Sequence, residues 1–219
     1  MAASAEMFSP AMAAAMMSPN NAERRGGEAA YRRALKASTD GVVQGLLQCL
    51  PCGAQEDGVR IISAVLLRQL MDHTKQAWTR VSPQTRAATR AALLQLVFAE
   101  PQPVIANRIA HCVAQAASSS AAEPWPELLP TVCGAMSAGP GPARTALFVL
   151  EQLPDYAPEL MQGNAMNLLP VYTGALEPAN DLKVRTSALK ATGSLLMALD
   201  NDKERAPFTP LVQPTLAAM

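Results

Sequence analysis

The sequence predicts an all-α protein, an α-solenoid (superhelix) of about five two-helix repeats followed by an unpaired final helix. Three observations lead there. A proline inside an apolar, helix-forming segment recurs at a fixed interval. Pro130 ends Leu128-Leu129-Pro130, Pro170 ends Leu168-Leu169-Pro170 and Pro210 ends Phe208-Thr209-Pro210, 40 residues apart each time. The residues after each proline also correspond: Thr131-Val132-Cys133-Gly134-Ala135-Met136 against Val171-Tyr172-Thr173-Gly174-Ala175-Leu176, with a looser third copy over 211–216. Second, aromatic residues make up only 4% of the chain while Ala, Leu, Met and Gln are plentiful, and strands favour β-branched and aromatic side chains. Third, no stretch of useful length alternates apolar and polar residues as a half-buried strand does. A period of 40 is about the length of a HEAT or armadillo unit.

Taken in order, the first hairpin is 8–17 and 22–37. Its opening helix is rich in Ala and Met and stops at Met17-Ser18-Pro19-Asn20-Asn21, where a polar cap meets a proline. Its second helix carries Gly26-Gly27, each costing about 1 kcal/mol relative to alanine. The second hairpin is 41–50 and 57–71. Val59, Ile61, Ile62, Val65, Leu66 and Leu70 give the latter a wide apolar stripe, stacked on Leu46, Leu47 and Leu50. The third opens at Ser82-Pro83, a capping residue followed by proline at the first helical position. It runs to Phe98 and pairs with 103–118, ahead of a small polar loop at 118–122. The fourth is 126–138 and 142–153, divided by Gly139-Pro140-Gly141-Pro142. The fifth is 165–176 and 181–199. A sixth first helix, 207–219, has no partner and exposes Leu211, Val212 and Leu216, so self-association is expected. Residues 1–17 read as a capping segment and 18–219 as one continuous array.

The chain has 219 residues and 49% apolar content, enough for a continuous core. Eighteen Lys and Arg balance eighteen Asp and Glu. That balance lacks the broad positive footprint of a nucleic-acid binder. The first 17 residues hold Glu6 and Pro10 but no Lys or Arg, unlike a secretory leader. The uncharged run 160–176 is broken by Gly163, Asn164, Asn167 and Pro170, so no membrane insertion is expected. The expectation is a soluble intracellular protein with reduced thiols.

Few residues suggest chemistry. Cys49-Leu50-Pro51-Cys52 has the spacing of a thiol redox motif. That chemistry needs a helix N-terminus to lower the first thiol's pKa, and here the motif closes a helix, where the dipole raises it. Small buried residues ending a helix are the better account. Cys49, Cys52, His73, His111 and Cys112 are the candidates for a zinc site. His111 and Cys112 are neighbours on one helix and cannot converge on one ion. Gly139-Pro140-Gly141-Pro142 has prolines where a phosphate loop needs N–H groups. No enzyme activity, metal or cofactor is expected. Met7, Met12, Met16 and Met17 fit the inner face of a terminal helix, and Trp78 and Trp125 fit the core.

Surface features point instead to partners. Arginines recur on the second helices at Arg60, Arg108, Arg144 and Arg185, and three of them are followed by small residues that let helices approach closely. A head arginine can reach an acid or carbonyl of the adjacent repeat. Arg108, His111 and Gln115 share one face of their helix, and Arg68 and Asp72 occupy the corresponding face of the preceding pair. Second helices line the concave side of a superhelix, so these five face a bound partner.

These residues resemble a known family. Met17-Ser18-Pro19-Asn20-Asn21 with Arg24, Glu28 and Tyr31 is similar to the first repeat of the importin-β (karyopherin-β) nuclear transport receptors, above all the importin-five branch. So are Arg60 and Ala64-Val65-Leu66-Leu67-Arg68-Gln69-Leu70 with Trp78 downstream, Trp125-Pro126-Glu127, and Arg144 and Arg185-Thr186 heading later helices. The resemblance runs from Pro19 to the C-terminus. Gly26-Gly27, abundant alanine and sparse charge depart from the family pattern. Family members carry about twenty repeats, so the chain looks like the N-terminal part of a receptor. The resemblance implies a non-enzymatic carrier that binds the GTPase Ran in its GTP form on the second helices and Phe-Gly nucleoporins in grooves between first helices. It carries protein cargo with basic import signals and shuttles between cytoplasm and nucleus. It implies a Ran-side role for Arg68, Asp72, Arg108, His111 and Gln115. A HEAT scaffold or adaptor subunit without transport activity is the alternative of the same fold.

Overall fold

The computed structural model describes residues 7–72, 76–118 and 123–211. His73, the loop at 119–122, Val212 and Leu216 lie outside the described residues. Within them the chain forms eleven α-helices joined by short 3-10 turns, and no strand. It divides into two compact units, Met1–Cys112 and Val113–Met219.

The first unit begins with α1 (Pro10–Met17), α2 (Asn21–Ala37), α3 (Thr39–Gln48), α4 (Asp57–Met71) and α5 (Pro83–Ala99). The starts follow from the residues present. Asn20 accepts a hydrogen bond from the Ala22 N–H at 2.8 Å, Ser38 from Gly41 at 2.9 Å and Ser82 from Thr85 at 3.2 Å. Each cap supplies an acceptor to a donor that the helix itself leaves unpaired. The first helix packs on α2 and α4, and α3 packs on α2, α4 and α5. Leu46, Leu50, Leu67, Met71 and Leu93 are fully buried, while Leu47 is half-buried.

The two helix-interior glycines differ in role. Gly26 has open space where a Cβ would stand. At Gly27 a Cβ would lie 2.9 Å from the Met16 backbone nitrogen. What read as a departure from helix formers is the point where α1 touches α2. Gly45 is tighter still: its Cβ would sit 2.5 Å from the Phe8 carbonyl.

Arg60 lies at the head of α4, as expected, and is 1% exposed. Its Nε donates to the Leu50 carbonyl at 3.0 Å, one guanidinium nitrogen to Asp57 Oδ1 at 3.2 Å and the other to Glu100 at the end of α5. Gln102 closes the cluster by donating to both Asp57 oxygens. The helix α6 (Pro103–Ala117) begins beyond it, and Cys112 Sγ donates to the Ala64 carbonyl at 3.2 Å.

The second unit holds α7 (Leu128–Gly134), α8 (Pro140–Tyr156), α9 (Pro158–Leu176), α10 (Leu182–Ala198) and the single turn α11 (Asp202–Arg205). Here α10 packs on both α8 and α9. Three boundaries differ from expectation. The Gly139-Pro140-Gly141-Pro142 stretch is not all loop: Gly139, at φ 114°, makes the turn and Pro140 starts α8. In turn α9 starts at Pro158 rather than 165, because proline at N1 loses nothing and Asn164 donates to the Leu160 carbonyl within the helix instead of breaking it. Pro170 sits inside α9 and removes one backbone bond without ending it. The final helix expected from 207 is, where described, a 3-10 turn over Ala206–Leu211. Leu211 is 2% exposed, like Phe208, and is not the open apolar surface expected of it.

Candidate functional site

The predicted partner face falls in several places. Arg68 is half-buried on α4. Arg108 and His111 stand one turn apart on α6, the first exposed and the second half-buried. Together with Ala64 and Val65 these three line one small crevice of the first unit. Asp72 is the C-cap of α4, one turn past Arg68, and is not in the crevice lining. Gln115 belongs to the second unit. Burial, then the charges of Arg68 and Arg108, hold the His111 imidazole below its ordinary range. Among the described residues neither Arg68 nor Arg108 makes an ion pair.

The second unit contains a groove of about 620 Å³ that no single-residue motif of the sequence marks. Cys133, Met136 and Ser137 line it from the end of α7 and its 3-10 turn. Pro170, Val171, Gly174 and Ala175 line it from α9, and Ala143 and Val184 from the heads of α8 and α10. The walls are apolar and small. Asn180 and Asp181 at the rim are held locally: Asn180 donates to the Gly174 carbonyl at 2.6 Å, and Asp181 caps α10 through the Lys183 N–H. Gly174 has open space where a side chain would project. The signal for this groove was the 40-residue repeat, since both walls come from its corresponding copies, 131–136 and 171–176. Their juxtaposition could not be read from either copy alone.

All four cysteines are free thiols, and they differ in burial. Cys49 is buried at the end of α3, and burial pushes its thiol up, partly offset by a hydrogen bond with Ser63. Cys52 is exposed, against the expectation that both cysteines close the helix from inside. The reason is that α3 ends at Gln48, and Cys52 falls in the exposed turn over 51–54 that follows it. Burial raises Cys133 as well and lifts Cys112 to about 12. Among the described residues no three His, Cys, Asp or Glu side chains are grouped to hold a metal, and no helix is long and apolar enough to cross a membrane.

No curated protein sequence matches the chain. Solved structures do. The Kap121p chain bound to RanGTP superposes with a TM-score of 0.77 at 20% identity, over 95% of this chain and 19% of that one. Yeast importin-β, Kap95p, gives 0.77 at 20% identity, over 95% of this chain and 28% of that one. Kap95 in its complex with Nup1 gives 0.77 at 21% identity, over 96% and 27%. The chain thus spans about a fifth of the Kap121p length. These likenesses establish the fold, an all-α array of HEAT-type helical hairpins. A family model described as "IPO5-like, TPR repeats" matches residues 101–219, more than half of the sequence. With the importin-five motifs already in the sequence, that match gives the assignment: the chain belongs to the IPO5-like family of the karyopherin-β proteins.

Proposed function

We propose that this chain is a non-enzymatic nuclear transport receptor or a part of one. It binds Phe-Gly nucleoporins and the GTP form of Ran in carrying protein cargo with basic import signals, and it shuttles between cytoplasm and nucleus. The observation that carries this reading is the groove between α7 and α9. These are first helices of consecutive hairpins, and their walls are of a size and polarity to take a phenyl ring. Ran engages the second helices, with Arg68, Asp72, Arg108, His111 and Gln115 on its side. RanGTP, Nup1 and Nup53p are bound in the related Kap121p and Kap95 structures, which supports these partner classes.

Gly174→Leu provides the test. The new side chain enters open groove space and improves helix propensity, so folding is preserved. Binding of a Phe-Gly repeat peptide, measured by fluorescence anisotropy, is expected to fall about tenfold or more. Unchanged binding in a folded variant removes the groove from the proposal. Pull-down by Ran locked with GTP, but not with GDP, is the second arm. Failure of both arms leaves the scaffold reading.

A further inference from the structure

Proline follows a serine or threonine at four places: Ser9-Pro10, Ser18-Pro19, Ser82-Pro83 and Thr209-Pro210. At the first three the residue is half-buried and its hydroxyl is occupied. Ser9 accepts from the Met12 N–H at 3.4 Å at the start of α1. Ser18 accepts from the Asn20 N–H at 3.1 Å and donates to the Glu23 carboxylate at 2.5 Å. Ser82 accepts from the Thr85 N–H at 3.2 Å and donates to the Thr85 hydroxyl at 3.0 Å. These serines hold helix starts and the turns before them.

Thr209 differs in each respect. It is exposed, it caps no helix, and its hydroxyl makes no hydrogen bond among the described residues. In the 40-residue repeat it stands where the earlier copies carry Leu129 and Leu169, both half-buried. Its neighbours Phe208 and Leu211 are buried, and the 3-10 turn that holds all three packs on α9. The backbone contributes less, because Pro207 and Pro210 have no N–H to give the turn. A short turn with few backbone bonds opens locally at small cost. Thr209 is also the one of the four with a second proline two residues before it. Both prolines favour the extended chain that a kinase cleft threads. Proline after the acceptor suits kinases whose pocket at that position offers an N–H no partner.

We propose that Thr209 is a phosphorylation site, the acceptor for a proline-directed protein kinase. The reaction takes the γ-phosphoryl group of ATP. The bond from Thr209 Oγ1 to phosphorus forms, the bond from that phosphorus to the bridging oxygen breaks, ADP leaves, and the hydroxyl proton passes to the kinase's base. The phosphate acts through its charge. Residues 200–211 carry Asp200, Asp202 and Glu204 against Lys203 and Arg205. Arg205 is already engaged with the Leu196 and Leu199 carbonyls and with Asp202. Phosphorylation adds a charge of about −1.5 to −2 to this acidic stretch. Like-charge repulsion and hydration of the phosphate then draw the turn away from α9. The inference stands independently of the transport reading.

In the test, the whole chain and a synthetic peptide of residues 203–215 are incubated with a purified mitogen-activated protein kinase and ATP. Phosphopeptides are mapped by mass spectrometry over time. In the whole chain Thr209 is expected to be labelled about tenfold faster than Ser9, Ser18 or Ser82, whose labelling requires undoing a helix start. Thr209→Val is expected to remove that label and leave the others unchanged. Hydrogen exchange over 200–211 is expected to run about threefold faster in the phosphorylated chain. Faster labelling of any of the three serines overturns the inference, as does labelling of the peptide but not of the folded chain. A peptide that stays unlabelled overturns it too, at the level of the motif. Full labelling at Thr209 with unchanged exchange upholds the site and overturns the effect ascribed to its charge.

Discussion

Arg60 and Glu100 form an ion pair in which both side chains are removed from water, 1% and 2% exposed, joining the head of α4 to the end of α5. A second acid, Asp57, sits on the same guanidinium but is about half exposed. Both helices pack on α3, and this pair ties the head of one directly to the end of the other. Its partners are 40 residues apart in sequence.

Glu100→Ala leaves a buried guanidinium with only the weaker acid. Urea unfolding is expected to show a loss of about 3 kcal/mol, the range for a buried pair with one partner removed. The double variant Arg60→Met with Glu100→Leu is expected to recover most of that. A loss below about 1 kcal/mol for the single change would mean that the pair is solvated.

Three glycine-to-alanine changes separate helix propensity from close packing. Gly26→Ala adds a methyl into open space and is expected to stabilise by about 1 kcal/mol. Gly45→Ala forces the Phe8 carbonyl away and is expected to cost about 1–3 kcal/mol, with Gly27→Ala between the two. Thermal melts order the three; a stabilising Gly45→Ala would place Phe8 elsewhere.

Protonation of His111 opposes folding. Its folded pKa lies below the ordinary 6.5, so the unfolded chain binds more protons in the interval between the two values. Stability is therefore full above that interval and falls as pH drops through it. Urea midpoints at pH 7.5 and 5.5 are expected to differ less for His111→Gln than for the unsubstituted chain. The comparison between the two chains cancels the carboxylates that titrate nearby.

Thiol reactivity is expected to follow exposure. Cys52 reacts first with a disulfide reagent at pH 8, Cys133 more slowly, and Cys112, buried and raised to about 12, only on unfolding. Cys49 is expected to resist with Cys112. Mass mapping of labelled peptides over time gives the order directly. Fast labelling of Cys112 would contradict its contact with Ala64.

Much of the architecture was legible from residues near one another in the chain. The Ser82-Pro83 start, the 57–71 helix and its stripe, and the alternation of first and second helices rest on local capping and a 3.6-residue period. Boundaries failed where a local rule was overruled nearby. Asn164 found a carbonyl in its own helix, and Pro158 began α9 before the expected start. Of the five residues assigned to the partner face, Arg68, Arg108 and His111 line one crevice, and Asp72 and Gln115 are not part of its lining.

The sequence alone determined the helix class, the 40-residue period and the family, because each is carried by residue types at short or fixed spacing. Tertiary structure decided which side chains lose water and which meet. Arg60 became a buried pair while Arg68 and Arg108 make no ion pair among the described residues, Gly27 and Gly45 became contact points while Gly26 did not, and two copies of one repeat closed around a groove. Those outcomes depend on distances between helices far apart in the chain. No local pattern encodes them, since desolvation and close packing are properties of the neighbours as much as of the residue itself.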